Sequence, residues 1–227
     1  MTKKKTEQVD NLQELESALT KTEQFIEDNQ KIISYVAGGI ILVVALYLGF
    51  NKFYLAPKED KAVSQMYMAE QYFEKDSFNL AVNGDGNFPG FLDIIDEFGI
   101  TKAANRAYYY TGVSYLHLGE YEQAIEYLNN FESDDLLLAP IAEGAKGDAY
   151  YELGDKAKAL KQYKKAYALT ANELTSPVYM MKAANLMEAN GELKGALELY
   201  KEIKEEYPAS VEGTNADRYI ARVQVKL

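Results

Sequence analysis

The sequence predicts an all-α protein: a stack of antiparallel helix pairs preceded by a single transmembrane helix. Three observations carry that prediction. The stretch from Ile32 to Asn51 holds no charge and is bracketed by Lys31 and Lys52. The chain beyond it repeats the same residue types with a period of 35 and then 37 residues. The composition, 48% hydrophobic and 26% charged over 227 residues, is that of one folded body with an appended segment, and it excludes a disordered tail or a multi-span membrane protein.

Residues 1–31 form a tail, and from it into the first turn of the span Leu12, Leu15, Leu19, Thr22, Ile26, Asn29 and Ile33 alternate at spacings of three and four. This is a heptad seam. Thr22 and Asn29 interrupt it, so two readings stay open: a dimer held through Leu12, Leu15, Leu19 and Ile26, or an amphipathic helix that continues into the span and docks on a membrane neighbour. Residues 32–51 form the span. At about 1.5 Å per residue a helix from Ile32 to Phe50 reaches roughly 30 Å, the thickness of the hydrocarbon layer. Tyr35, Tyr47, Phe53 and Tyr54 stand where interfacial aromatics belong. A signal peptide carries a shorter apolar run behind a short basic segment, whereas this run follows 31 residues with seven acids, so it reads as a retained anchor. Ser34, Gly38, Ala45 and Gly49 share one face and would allow another membrane helix to approach closely.

The topology follows from counting basic residues. Lys3, Lys4, Lys5, Lys21 and Lys31 precede the span, against Lys52, Lys58 and Lys61 just after it. The short tail therefore belongs in the cytoplasm, and the long C-terminal body is translocated largely regardless of its charge. The C-terminal domain is thereby expected on the far side of the membrane from the cytoplasm.

After the span, Gly112, Tyr115, Gly119, Ala124, Leu128 and Phe131 return as Gly147, Tyr150, Gly154, Ala159, Tyr163 and Ala166. They return again as Ala184, Met187, Gly191, Ala196, Tyr200 and Ile203. Small residues at the first and fourth places let two helices approach closely, and the bulky residue between them fills the adjoining hole. Gly119, Gly154 and Gly191 suit the left-handed end of a first helix. Glu120, Asp155 and Glu192 suit the N-terminus of a second. Each pair leaves an apolar face that only a neighbouring pair can bury, so the units must stack.

With Tyr108, Gly112, Tyr115, Gly119, Tyr121, Ala124, Leu128 and Phe131 in this order, the unit resembles the tetratricopeptide repeat, with Tyr108 and Thr111 in place of its usual Trp and Leu. The resemblance implies a tetratricopeptide repeat superhelix over residues 52–208, with three clear repeats and a degenerate first one. That first unit has Ala69 and Tyr72 in register, but the loop Asn83 to Gly90 displaces its second helix before Phe91, Ile94, Ile95 and Phe98 resume a helical stripe. Residues 209–227 are predicted to form a capping helix, with Tyr219, Ile220 and Val223 inward and Arg218, Arg222 and Lys226 outward.

The whole arrangement, an acidic tail, one span and an acidic repeat domain, is similar to the YfgM-like family of ancillary subunits of the bacterial Sec translocon, which dock periplasmic chaperones. Asp76-Ser77-Phe78, Asn83-Gly84-Asp85-Gly86 and Ala104 to Tyr110 also resemble repeat proteins common in Bacteroidetes. The resemblance implies a membrane-tethered, non-catalytic adaptor whose partners are the translocon, chaperones or emerging client chains.

Composition narrows the alternatives. A net charge of -11 repels nucleic acid at long range. The absence of cysteine removes disulfides, thiolate metal sites and thiol nucleophiles. His117 is the only histidine, which leaves a two-histidine zinc site impossible within one chain, and its register puts it at the exposed end of a first helix. Asp134-Asp135 and Glu205-Glu206 fall at a loop and a helix end with no partner acid, and read as solvated charge. No phosphate-binding glycine motif is present. Asp85, Asn87, Gly90, Asp93 and Asp96 match positions 1, 3, 6, 9 and 12 of a calcium loop, but Pro89 at position 5 and an aspartate at position 12 fit it poorly, so a plain helix connector is the expectation. The sequence thus implies no catalytic residue, cofactor or metal.

Partners of such a stack bind the concave surface made by the first helix of each pair. The register selects Arg106, Tyr109, Val113, Leu116, Asp148, Tyr151, Met181, Asn185 and Glu188. This set departs from the carboxylate-clamp pattern of chaperone-binding repeats, whose Lys and Asn positions hold Tyr109, Val113 and Gly144 here. A groove of this character suits an extended segment or a partner helix.

Overall fold

The structure, a computed structural model, describes the backbone of residues 3–227 and the side chains of Glu23 and of residues 25–227. Helices account for all of its regular elements among the described residues. In chain order these are α1 (Lys3–Phe50), a π-helical turn (Asn51–Leu55), α2 (Ala56–Glu74), α3 (Phe78–Asn83), α4 (Phe91–Phe98), α5 (Lys102–Leu118), α6 (Tyr121–Asn129), α7 (Leu138–Glu152), α8 (Lys156–Leu169), α9 (Ser176–Ala189), α10 (Leu193–Glu206) and α11 (Val211–Gln224). Contacts divide the chain into two units, Met1–Pro57 and Lys58–Leu227.

In the first unit every large apolar side chain from Ile32 to Phe50 is exposed. The helix carrying them is long and apolar enough to cross a membrane. A Cβ at Gly38 or Gly49 would meet nothing within 4 Å, so the small-residue face of Ser34, Gly38, Ala45 and Gly49 has no packing partner at its glycines among the described residues. Of the proposed seam, the side chains of Leu12, Leu15, Leu19 and Thr22 lie outside the described residues; Ile26 is half exposed. The π-helical turn ends two residues before Pro57, whose ring cannot sit over the carbonyl of the fourth residue before it in regular α geometry.

The second unit is a series of helix pairs. α5 packs on α6, α7 on α8 and α9 on α10, with α11 closing the series against α10 and α9. The connectors within pairs turn on Gly119, Gly154 and Gly191, whose φ values of 79°, 79° and 82° lie in the left-handed region, as the period predicts. Glu120, Asp155 and Glu192 all occupy N-cap positions, but only Asp155 uses its side chain, which accepts from the Lys158 N–H. The small first position of the repeat is a contact site in each of the first two regular pairs. A Cβ at Gly112 would press on Leu128 Cγ at 2.5 Å, and one at Gly147 on the Tyr163 ring at 2.6 Å. Ala184 in the third pair is fully buried.

The first unit of the repeat region is built differently. α2 buries Ala62, Met66 and Ala69 against α4 and α5, where Phe91, Ile94, Phe98, Ala103, Ala104 and Ala107 complete a core. The second-helix position is split into α3 and α4 by a tight connector. In it Asp85 Oδ1 accepts from the N–H groups of Asn87 and Phe88 at 2.9 and 2.8 Å, and Oδ2 accepts from the Tyr72 hydroxyl at 2.7 Å. Asp93 Oδ2 accepts from the Gly90 N–H at 3.0 Å. Two carboxylates of the calcium-loop pattern thus brace their own backbone. Hydrogen bonding from Tyr72, then from the backbone, holds the Asp85 carboxyl below the usual carboxylate range.

The capping helix corrects one expectation. Val223 is buried and Tyr219 and Ile220 pack beside it. Arg222 and Lys226, however, do not point away from the fold. They reach back 34 and 38 residues to Glu188, at 2.5 and 2.8 Å.

Candidate functional site

The first helices α5, α7 and α9 carry the side chains that the register assigns to the binding surface, and the site forms around Asp148. Gly147 gives the Tyr163 ring of α8 its seat, which brings the hydroxyl to Asp148 Oδ1 at 2.7 Å. From α9, the Lys182 ammonium donates to Oδ1 and Oδ2 of the same carboxylate at 2.6 and 2.7 Å. It also stands 5.7 Å from the Tyr163 ring centre and 5.9 Å from that of Tyr179. Burial first, then the Asp148 charge, pushes the phenols of Tyr163 and Tyr179 well above their ordinary range, so both stay protonated and Tyr163 keeps its proton for Asp148.

Two adjoining cavities flank this ion pair. One, of about 300 Å³, is lined by Asp148, Tyr151, Lys156, Lys182, Asn185 and Leu186 among others. The other, of about 360 Å³, is lined by Leu116, Tyr121, Asp148, Tyr151, Glu152 and Lys182. They share Asp148, Tyr151 and Lys182 and so make one trough crossing α5, α7 and α9. Tyr151, 50% exposed, is the large aromatic surface in its middle. An aromatic flanked by a satisfied ion pair and the Asn185 amide suits an extended backbone or a helix face, since it offers apolar contact and donors without an unpaired buried charge.

Of the nine residues read from the sequence, the structure brings Leu116, Asp148, Tyr151 and Asn185 together in the trough. The others are placed elsewhere. Tyr109 and Val113 pack against Leu128, Ala142 and Ala145. Met181 is a buried core residue. Arg106 stands 3.9 Å from Glu59 on α2. Glu188 has a side chain only 6% exposed, which is saturated: Arg222 and Lys226 donate to it, and the Tyr200 hydroxyl lies 3.0 Å from Oε2 and 2.7 Å from Asn185 Oδ1. Burial alone would raise its pKa, but the hydrogen bonds from Arg222, Lys226 and Tyr200 outweigh that and lower it to about 2. These five therefore lie outside the trough, because inward and groove-facing positions differ by only a fraction of a helical turn.

Sequence reasoning missed Lys182, Lys156, Tyr121 and Glu152. One signal was available: Lys182 lies three residues before Asn185 and therefore on the same helix face. The second-helix contributions from Tyr121 and Lys156 depend on how pairs stack and have no such signature.

His117 is exposed at the end of α5, its ring stacked on Phe78 at 4.4 Å. Among the described residues no group of three or more acidic or histidine side chains is placed to hold a metal ion.

Comparison with known proteins agrees with this geometry. A tetratricopeptide repeat family matches residues 106–134, the α5–α6 pair, and a second matches residues 145–211, from α7 to the start of α11. Over these residues the chain carries tetratricopeptide repeats. Its fold is the tetratricopeptide repeat superhelix, also seen in the kinesin light chain TPR-like repeats of Podosopora anserina. That structure has a TM-score of 0.56 at 16% identity, covering 74% of this chain and 87% of its own. A form of the same repeats with one glutamine replaced by methionine gives 0.56 at 15% identity, covering 74% and 86%. At such identity the likeness concerns the fold alone. No curated protein matches the sequence. Tetratricopeptide repeats bind protein partners, and the trough lies on the first helices that line the inner surface of such a superhelix.

Proposed function

We propose that the protein is a membrane-anchored, non-catalytic adaptor whose tetratricopeptide repeats hold a protein segment along the trough. The observation that carries this reading is the pair of cavities joined by Asp148, Tyr151 and Lys182 across three successive first helices. The exposed apolar surface of Ile32–Phe50 supports the anchor, because no described side chain covers it and water would oppose its exposure. The finer reading is an ancillary subunit of the Sec translocon in a bacterial inner membrane, with its N-terminus cytoplasmic and its repeats periplasmic. There it would link the channel to chaperones or emerging clients. It rests on the resemblance in tail, span and repeat order.

The test is purification of the full-length protein from native membranes in mild detergent, beside a copy lacking residues 1–55, with identification of what accompanies each. Recovery of the Sec channel with the intact protein alone supports the translocon reading and makes the tail and span its docking element. Absence of the channel, with the same partners following the repeats alone, overturns it in favour of a scaffold for another envelope complex, such as outer-membrane assembly or cell division. Substituting Tyr151→Ala and Lys182→Ala together tests the trough: loss of the partners held by the repeats is expected.

A further inference from the structure

Away from the trough, the connectors that precede α7 and α9 present leucines to solvent. Leu136 and Leu174 are 66% and 67% exposed, and Leu137 is 40% exposed. These connectors are laced together. The Thr170 hydroxyl donates to the Leu136 carbonyl at 2.9 Å, and the Ser176 hydroxyl to the Thr170 carbonyl at 2.7 Å. Asn172 Oδ1 accepts from the N–H groups of Leu174 and Thr175 at 2.9 and 2.7 Å, while Asp135 Oδ1 accepts from those of Leu137 and Leu138 at 2.9 and 2.8 Å. The polar groups are satisfied inward, and the leucines are left standing outward. Between them opens a cavity of about 290 Å³ lined by Leu137, Ile141, Leu174, Thr175, Val178 and Tyr179. A fixed apolar pocket of this size has the character of an interface anchor site, since its ordering cost is met before a partner arrives.

Charge narrows the occupant. Asp134 and Glu173, adjoining these leucines in sequence, are exposed and form no ion pair among the described residues. The chain as a whole carries -11. A second copy docking face to face would bring these acids against their own equivalents, which opposes self-association. An anionic surface is opposed for the same reason. We propose that this cleft docks a short partner segment bearing one or two large apolar side chains flanked by lysine or arginine. The proposal shares no lining residue with the trough and stands whether or not the trough is the adaptor's main groove.

The test uses the full-length protein in phosphatidylcholine nanodiscs and a fluorescein-labelled peptide with a Leu-Phe pair flanked on both sides by lysines, read by anisotropy against empty nanodiscs. Saturable binding is expected, weakened at least tenfold, or about 1.4 kcal/mol, by Leu174→Asp. A similar loss is expected when the flanking lysines of the peptide become glutamates, and a progressive loss as salt rises. Leu174 is exposed enough for that variant to keep its fold, which circular dichroism checks, and Leu136→Ser provides a second variant. Tyr151→Ala alters the trough without touching a cleft residue and is expected to leave this binding unchanged, so failure of the cleft and failure of the trough are told apart. The proposal is overturned by absence of saturable binding, by equal binding to wild type and Leu174→Asp, by indifference to the flanking charge, or by a dimer of the wild-type chain that Leu174→Asp dissolves.

Discussion

The regular repeats and the first repeat reach close packing by opposite means. In α5 to α10 the tight places lie between a side chain and a helix: Leu128 against Gly112, Tyr163 against Gly147 and Tyr179 against Gly144. In the first repeat the tight place is backbone against backbone, where the connector between α3 and α4 folds Gly84 and Gly90 onto Phe88 and Val82. A ring can turn or slide when crowded, whereas a carbonyl fixed in a turn cannot. The repeat pattern therefore tolerates variation along its helices, and the broken first unit should tolerate almost none in its connector.

The largest expected effect tests that contrast directly. A Cβ at Gly90 would overlap the Val82 carbonyl oxygen and the Gly84 nitrogen, so Gly90→Ala should cost about 3 kcal/mol in urea unfolding of the full chain in mild detergent. Gly144→Ala should cost less, about 2 kcal/mol, because the Tyr179 ring can yield and alanine favours the helix by about 1 kcal/mol. Adding Tyr179→Leu to Gly144→Ala should recover part of that loss. If Gly144→Ala proves the costlier change, or if the double variant recovers nothing, the contrast between yielding side chains and unyielding backbone is wrong.

A third prediction sharpens the comparison at the other end of the stack. The Glu188 carboxyl, with a folded pKa of about 2 against an ordinary 4.5, contributes stability that is present above the ordinary value and is lost as pH falls through the folded one. Glu188→Gln should therefore lower the melting temperature at neutral pH, by the equivalent of about 1 kcal/mol once the exposure of Arg222 and Lys226 is allowed for. It should also flatten the melting-temperature decline between about pH 5 and pH 2. Equal acid sensitivity in the variant and the wild type would show that Glu188 does not anchor α11. The smallest effect belongs to the first repeat: Tyr72→Phe removes one exposed hydrogen bond to Asp85 and should leave the urea unfolding midpoint unchanged within error.

The sequence carries much of the fold because its repeats encode it redundantly. The three left-handed glycines recur with the period, and so do the small residues at 112, 147 and 184. The disruption of the first unit was also legible, because glycine, asparagine and proline crowd residues 83–90. The short helix Phe78–Asn83 was not read, because one and a half turns leave too brief a pattern to recognise. Of the site, the residues at 116, 148, 151 and 185 follow from register, while Lys182 and Lys156 enter only when α7, α8 and α9 are stacked. Gly144 looked in the sequence like a vacant recognition position. In the structure it is the seat of the Tyr179 ring, a contact that links α7 to α9 across 35 residues.

By itself, then, the sequence determined the helix pairs, their turns and the apolar helix before them, because each depends on residues within a few turns of one another along the chain. Tertiary structure alone decided which groove-facing positions are free. Glu188 is closed off by Arg222 and Lys226 and Met181 by the core, while Lys182 is drawn onto Asp148. It also decided that Leu136 and Leu174 stand exposed above a braced pair of connectors. Those outcomes depend on the angle and distance at which one helix pair meets the next, and that geometry is set by the summed packing of the whole stack.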